Sequence, residues 1–415
     1  MITLQKPPMG WNSWDCYGAA VNEEQVRENA RYMAKNLKTY GWEYIVVDIQ
    51  WYEPNAVSHE YNRNADLVMD EFGRLMPTAN RFPSAAGGSG FRPLAEYIHS
   101  LGLKFGIHIL RGIPRQAVRR NTVVKGTDCR AAEIVDFGDV CCWNGDMCGI
   151  DMSRRGAQAY YDSIFQLYAE WGVDYVKVDD IARPYHREEV EAIAGAIENS
   201  GREMVLSLSP GAAPIAEAEH LSKWANMWRM TDDFWDDWGL LKKMFDYCRD
   251  WFPYVGSGHF PDCDMLPLGC IRVCNKENGE KTRFTVEEQK LLLSLWAIFR
   301  SPLMFGGDMT RNDEFTLSLM QNRQILDINQ NGSGGREVYR KGNEIVWAAN
   351  GAEDTVYLAH FNVGDEELAA EFDPAFIGGR ETFHIREIWS GEEQNGVSRI
   401  KSVIPPHGVK LYQIK

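Results

Sequence analysis

A chain of 415 residues that is 44% hydrophobic and 12% aromatic exceeds one small domain and can build a large core, which excludes a disordered protein. Its 59 acidic against 44 basic residues leave a net charge of −15, a poor match for nucleic acid or an anionic membrane and a better one for a neutral or cationic small ligand. No window has the unbroken apolar length of a membrane span, and the opening MITLQKPPMGW lacks the basic and apolar regions of a signal peptide, so a cytoplasmic chain is expected.

PPMGWNSW reads as a first strand. Behind it, Val26, Ala30, Met33, Leu37 and Tyr40 recur at helical spacing, with Asn22 and Gln25 placed as a capping box. One grammar then repeats in YGWEYIVVD (40–48), LGLKFGIHIL (101–110) and WGVDYVKVD (171–179). In each, a helix ends at Gly41, Gly102 or Gly172 and an apolar strand follows. CCWNGDMC (141–148) is the densest group among nine cysteines, but no C-x-x-C occurs and the nine histidines are scattered, so reduced thiols are expected and no metal site.

Strand patterns continue through MVLSLSP, ANMWRM, PYVGSGHF and PLMFGGDM, with helical stretches such as VEEQKLLLSLWAIF between them. About eight strand-helix units over roughly 300 residues predict a parallel sheet closed as a (β/α)₈ TIM barrel. A doubly wound sheet is the runner-up, although neither G-x-G-x-x-G nor a P-loop follows any strand. From NGSGG (331–335) onward, EIVWAAN, TVYLAHFNV, TFHIREIW and GVKLYQIK alternate between polar turns. The expected organisation is a catalytic barrel over 1–330 and a small C-terminal antiparallel β-sandwich domain over 331–415.

In such a barrel the chemistry gathers where strands end. Those positions hold Trp14; Asp48 and Trp51; His108 and Arg111; Lys177 and Asp179; Ser207 and Ser209; Arg229, Asp232 and Asp233; and Asp262 and Asp264. Carboxylates, a few cations and indoles around one pocket suit a sugar: acids to cleave, polar groups for hydroxyls, an aromatic face for the C–H side of a ring. Strand alternation puts Lys177 and Asp179 on one face and Asp180 on the other, where capping the next helix is its expected role. A lysine neighbour would keep Asp179 ionised.

PPMGWNSW, YIVVDIQW, WGVDYVKVDD, WRMTDDFWDDW, FPDCDML and SLWAIFRSPLMFGGDM occur in an order that resembles glycoside hydrolase family 27, the α-galactosidase and α-N-acetylgalactosaminidase family. The likeness runs from about residue 6 to 310, and PPHGVKLYQIK looks like the last strand of that family's C-terminal domain. It implies a retaining exo-glycosidase without a cofactor. Asp179 then matches the nucleophile and Asp233 the acid/base, with the two carboxyl groups roughly 5–5.5 Å apart as retention requires. Arg229 matches a contact to the 2-position, Trp14 the pocket tryptophan, and Asp264 with Met265 the wall after the seventh strand. Ser209 falls near the 2-position selector, where a small residue would admit an acetamido group. His108 stands where the family commonly has tyrosine, as a packed histidine or a ligand contact.

The chain departs from that pattern at VDIQW. Where the family's α-galactosidases carry two aspartates that bind the 4- and 6-hydroxyls of galactose, Asp48 is kept and Ile49 replaces its neighbour. This resembles a branch that prefers β-L-arabinopyranosides, which lack the hydroxymethyl group. The expected partner is therefore a small-molecule or oligosaccharide glycoside, with no nucleic acid and no membrane, and with homo-oligomerisation left open. Two other classes stand beside this reading: a barrel that binds sugar without cleaving it, which turnover of any aryl glycoside would exclude, and a metal-dependent barrel enzyme, which EDTA would silence.

Overall fold

The computed structural model describes residues 2–62, 65–209, 211–256, 258–275, 279–373 and 382–415. Eight strands form one parallel sheet: β1 (Met9–Asn12), β2 (Tyr44–Val47), β3 (Lys104–Leu110), β4 (Tyr175–Asp179), β5 (Val205–Leu208), β6 (Met227–Arg229), β7 (Phe260–Asp262) and β8 (Leu303–Phe305). Each pairs with the next in chain order as far as β7, and β8 pairs with β1. The ring closes just past β7. There Leu266 bridges Phe305 in parallel, donating to the Met304 carbonyl at 2.8 Å and accepting from the Gly306 amide at 2.9 Å. A doubly wound sheet has no such closure, so the barrel is the fold.

A main helix follows each strand: α1 (Glu23–Asn36), α2 (Arg92–Ser100), α3 (Ala157–Trp171), α4 (Arg187–Asn199), α5 (Ala218–Trp224), α6 (Trp238–Trp251), α7 (Val286–Phe299) and α8 (Arg323–Asn331), with shorter helices in the connections after β1, β3 and β8. Except for Lys104, every residue of the eight strands is buried, as expected of a parallel sheet covered by helices. The capping box on α1 forms, with Asn22 and Gln25 exchanging side-chain to backbone bonds of 3.0 and 3.1 Å. Val26, Ala30, Met33 and Leu37 face the core. Gly172 ends α3 directly at φ 82°, whereas Gly41 closes a short 3₁₀ turn, so Tyr40 lies beyond α1. No helix among the described residues is long and apolar enough to cross a membrane.

The seventh strand begins later than PYVGSGHF suggests. Phe252–Tyr254 is a 3₁₀ turn, with Pro253 supplying a fixed φ and no amide donor, and regular pairing starts only at Phe260. Ser257 in that stretch and Pro210 in MVLSLSP lie outside the described residues. A second difference is a small three-stranded antiparallel sheet between β3 and α3, with Met147–Ile150 in its centre, flanked by Ile113–Pro114 and Val135–Val140. CCWNGDMC belongs to this excursion. None of the nine cysteines is in a disulfide; Cys142 is exposed and its neighbours Cys141 and Cys148 are buried.

After α8 come β9 (Ser333–Lys341), β10 (Glu344–Asn350), β11 (Val356–Asn362), β12 (Leu368–Phe372), β13 (Phe383–Glu387), β14 (Glu393–Val397), β15 (Ile400–Ile404) and β16 (Val409–Ile414). The larger sheet runs β9-β10-β11-β16-β13-β14, and β12 pairs with β15. Ile400 of the small sheet packs with Val346, Leu358, Phe383, Ile385 and Tyr412 of the large one, a sandwich core. This domain seats on the barrel through α6 and α7: His407 stacks on Trp238 at 3.7 Å, Phe361 meets Phe245, and Trp389 donates to Ser294.

Gly10 is where β1 and β2 approach too closely for a side chain, because an added Cβ would lie 2.6 Å from both the backbone oxygen and the Cβ of Tyr44. Gly10→Ala must push the strands apart and should cost about 1–3 kcal/mol, read as a lower urea or thermal midpoint. An unchanged midpoint would show that the barrel opens there without strain.

Candidate active site

The inward face of β4 brings Lys177 and Asp179 to the mouth of the barrel, but each takes a different partner. Lys177 reaches across β3 to Asp48, just past β2, at 2.9 Å. Asp48 also accepts from Asn12 at 2.8 Å and from the Ile49 amide at 2.8 Å, and its own amide donates to Ser13. Burial alone would raise the Asp48 carboxyl, yet Lys177, His108 and these bonds hold it well below the usual range. Burial would likewise lower the Lys177 ammonium, while Asp48, Asp179 and Asp264 outweigh that and push it up.

Asp179 is therefore not held by the lysine expected beside it. Its Oδ2 accepts from His108 Nε2 at 2.9 Å and its Oδ1 from the Asp180 amide at 2.5 Å. The reason is register: His108 pairs with Lys177 on the adjacent strand, so its ring reaches forward to Asp179 while the longer lysine passes on to Asp48. His108 is fully buried behind Asp179 rather than on the cavity wall, and its Nδ1 has no hydrogen-bond partner among the described residues.

A cavity of about 630 Å³ opens over these groups. Of the residues singled out by sequence, Trp14, Asp48, Ile49, Lys177, Asp179 and Asp233 line it, and Trp51, His108, Ser209, Arg229, Asp264 and Met265 do not. Trp51 sits in an aromatic knot with Tyr52, Phe91 and Trp171, and its indole donates to the His108 carbonyl at 2.7 Å. Its role is to brace β3. Met265 packs inside the barrel with Tyr44, Tyr175, Met227 and Met304. Ser209 is buried, its amide bound to the Val178 carbonyl at 2.7 Å and its hydroxyl without a partner among the described residues.

Arg229 and Asp264 act from beneath. Buried Arg229 spans Asp264 at 2.7 Å and Asp233 at 3.1 Å, and although burial would lower it, these carboxylates raise it above its ordinary value. Asp264, at φ 79°, accepts from the Phe234 amide and fixes the loop that carries Asp233. The Asp233 side chain itself is 57% exposed, in contrast to the 9% of Asp179. Further along WRMTDDFWDDW, Asp237 caps α6 and buried Asp236 pairs with Arg272.

Asp180 neither faces away nor caps a helix. A left-handed φ of 59° breaks the strand alternation at this residue and turns its carboxylate onto the cavity, where it accepts from the Trp143 indole at 3.1 Å and pairs with Arg111 at 3.1 Å. The cap position of α4 belongs to His186 instead. Arg111 also binds Asp139 and Glu189. Asp139, His186 and Glu189 place ligand atoms within 4.8 Å of one another, but the guanidinium bound to two of them already supplies the positive charge there.

Asp232, placed at a strand end by sequence, also lines the cavity, as do His59, Tyr61, Trp143 and Arg183, which were not found from sequence. They stand on loops without periodicity, so only a lone aromatic between polar residues could have marked them. Tyr61 stacks on Trp14 at 6.1 Å and 18°, and His59 meets the Trp14 edge at 5.0 Å. Asp15 was missed as well, a buried acid raised far above its usual value by burial and by Asp264.

This arrangement of fold and site has relatives. A family model described as alpha galactosidase A matches residues 6–118 and 148–331, and one described as the alpha galactosidase C-terminal beta sandwich domain matches 341–414. A β-L-arabinopyranosidase of glycoside hydrolase family 27 from Geobacillus stearothermophilus is 53% identical, with a TM-score of 0.97 over 99% of this chain and 96% of that one. A protein from Bacillus halodurans, provisionally ascribed α-N-acetylgalactosaminidase activity, is 50% identical, with a TM-score of 0.90 over 100% and 99% of the two chains. The α-galactosidase of Cyamopsis tetragonoloba is 29% identical, over 98% of this chain and 86% of its own. On the closed barrel, the sandwich and these matches together, the chain belongs to glycoside hydrolase family 27, the α-galactosidase family.

Proposed function

We propose that the protein is a retaining exo-glycosidase that removes terminal β-L-arabinopyranose, and α-D-galactose less readily, by double displacement. The observation that carries the choice of sugar is Ile49, 2% exposed, in the cavity wall beside the Asp48–Lys177 pair. A hydroxymethyl group next to this side chain finds no hydrogen-bond acceptor and loses a water partner, at a cost of about 1–3 kcal/mol. A β-L-arabinopyranoside has the ring and anomeric geometry of an α-D-galactoside without that group. The relative from G. stearothermophilus is named for this activity, and a variant of it, 52% identical to this chain, was crystallised with arabinose.

In the first step Asp179 attacks the anomeric carbon while Asp233 protonates the leaving oxygen; in the second Asp233 takes a proton from the water that releases the sugar. His108 and the Asp180 amide aim the Asp179 carboxylate, whose oxygens keep free lone pairs for attack. The open position of Asp233 suits an acid that must reach leaving groups and then solvent. An acetamido sugar is less well supported, because Ser209 stands off the cavity wall.

Three measurements test this reading. Asp179→Ala should lower kcat by about 10³-fold or more, and a 2-deoxy-2-fluoro glycosyl reagent should label Asp179 in a peptide map. A label on Asp233, or none, would remove the assignment. Asp233→Ala should harm glycosides with poor leaving groups at least about tenfold more than activated aryl ones, since only the former need a proton in the first step. Equal losses would count against Asp233 as the acid. Ile49→Asp should raise the galactoside to arabinopyranoside ratio of kcat/KM by about tenfold or more. If a folded variant keeps the wild-type ratio, Ile49 does not select the sugar.

A further inference from the structure

The cavity divides into two zones by exposure. Asp48, Lys177 and Asp179 have side chains only 3%, 11% and 9% exposed, whereas Arg183, Asp232 and Asp233 are 59%, 64% and 57% exposed. A buried floor fits the ring that is cleaved off, and an open rim beside Asp233 fits whatever leaves. Trp143 belongs to the rim and is 39% exposed.

An indole in that position is unusual because it is held in place rather than free. Its Nε1 donates to Asp180 at 3.1 Å, and its ring lies 5.6 Å from Tyr61, which in turn stacks on Trp14. The three rings form a continuous aromatic wall from floor to rim. The segment carrying Trp143 is fastened to the barrel by Arg111, which takes Asp139 in a two-point grip at 2.8 and 2.9 Å and Glu189 of α4 at 2.9 Å. An exposed, oriented aromatic face is a platform for a flat apolar surface, and the C–H face of a sugar ring is one. The paired Arg183 and Asp232 on the same rim offer a donor and an acceptor for hydroxyls, which an aryl group would not use. Residues 119–147, which include Trp143, fall between the two matched stretches of the alpha galactosidase A family model.

We propose that Trp143, with Tyr61 and the Arg183–Asp232 pair, forms a second sugar subsite at the cavity mouth, which binds the pyranose ring on the leaving side of the scissile bond. The subsite rests on the glycosidase reading above, and the excursion between β3 and α3 is its carrier. The occupant is therefore an oligosaccharide, with the terminal residue on the floor and the next one across the Trp143 indole.

The test compares a disaccharide substrate with the glycosyl fluoride of the same terminal sugar, whose leaving group has no ring. In Trp143→Ala the ratio of kcat/KM for the disaccharide to that for the fluoride should fall by about tenfold or more. Trp143→Phe keeps a flat face but loses the bond to Asp180, and its ratio should stay within about threefold of wild type. Equal loss on both substrates would make Trp143 a mere support for Asp180 and overturn the subsite, as would a Phe variant as impaired in the ratio as Ala. If the wild type cleaves neither substrate, the glycosidase reading fails first. Calorimetric titration with the disaccharide then decides: about fivefold or more weaker binding to Trp143→Ala supports the subsite, and equal affinity overturns it.

Discussion

The ion pair between Lys177 and Asp48, 2.9 Å long and almost wholly buried, organises the floor of this barrel. Two charges removed from water cost several kcal/mol unless every remaining polar contact is supplied. Here Asn12, Ser13 and the Ile49 amide supply them, drawing the ends of β1 and β2 into one network. Two consequences follow. The Ile49 side chain is fixed in the cavity wall by its own backbone bond to Asp48, and Lys177 is spent on Asp48, so Asp179 must be oriented by something else. His108 fills that place, and Trp51 holds the His108 backbone from behind. The isoleucine just past β2 and the histidine on β3 are thus parts of one arrangement.

The two carboxylates assigned to the chemistry sit in contrasting surroundings. Asp179 ends a buried strand with both oxygens bonded, whereas Asp233 stands on an exposed loop tethered by one arginine. In the proposed mechanism the covered carboxylate attacks, and the open one exchanges protons with the leaving group and water. The tether also has a geometric effect: because Arg229 grips Asp264 and Asp233 at once, and Asp264 holds the Phe234 amide, the open carboxylate is positioned from below without being covered.

How legible all this is in the sequence depends on periodicity. The strands β2, β3 and β4 are apolar runs that follow a glycine, β10 and β11 are apolar runs buried along most of their length, and β13 alternates clearly, so those elements can be read directly. By contrast β9 and β14 are mostly exposed along their length and carry no apolar signal. The first strand of the excursion sheet is two residues long, and another, Val135–Val140, is almost wholly exposed. Within the site, residues at strand ends could be placed by alternation until the backbone left the extended region. Asp180 shows the limit: one positive φ reverses the face that counting by twos assigns it. Trp51 shows another, since an indole after a strand serves sugar binding or core packing equally well on paper. Only the aromatic knot around it decides.

A last constraint comes from charge. Around the floor of the cavity stand the acids Asp15, Asp48, Asp179, Asp262 and Asp264, all at most 6% exposed, with the buried cations Lys177 and Arg229 among them. With fewer cations than carboxylates in a low-dielectric space, a buried acid without a cation of its own is costly to ionise. The shifts follow that logic. Asp48, which owns the lysine, stays low, while Asp262 is pushed up to about 7 by burial and by its neighbour Asp264, and burial also raises Asp15 well above its usual value. Asp15 lies directly against Gly306, where a Cβ would come within 1.9 Å of its Oδ2, and that oxygen has no hydrogen-bond partner among the described residues. A neutral carboxylic acid can be buried there at far lower cost than an anion. The barrel thus gathers acids around its central cations by letting Asp15 and Asp262 keep their protons, while the lysine holds Asp48 ionised.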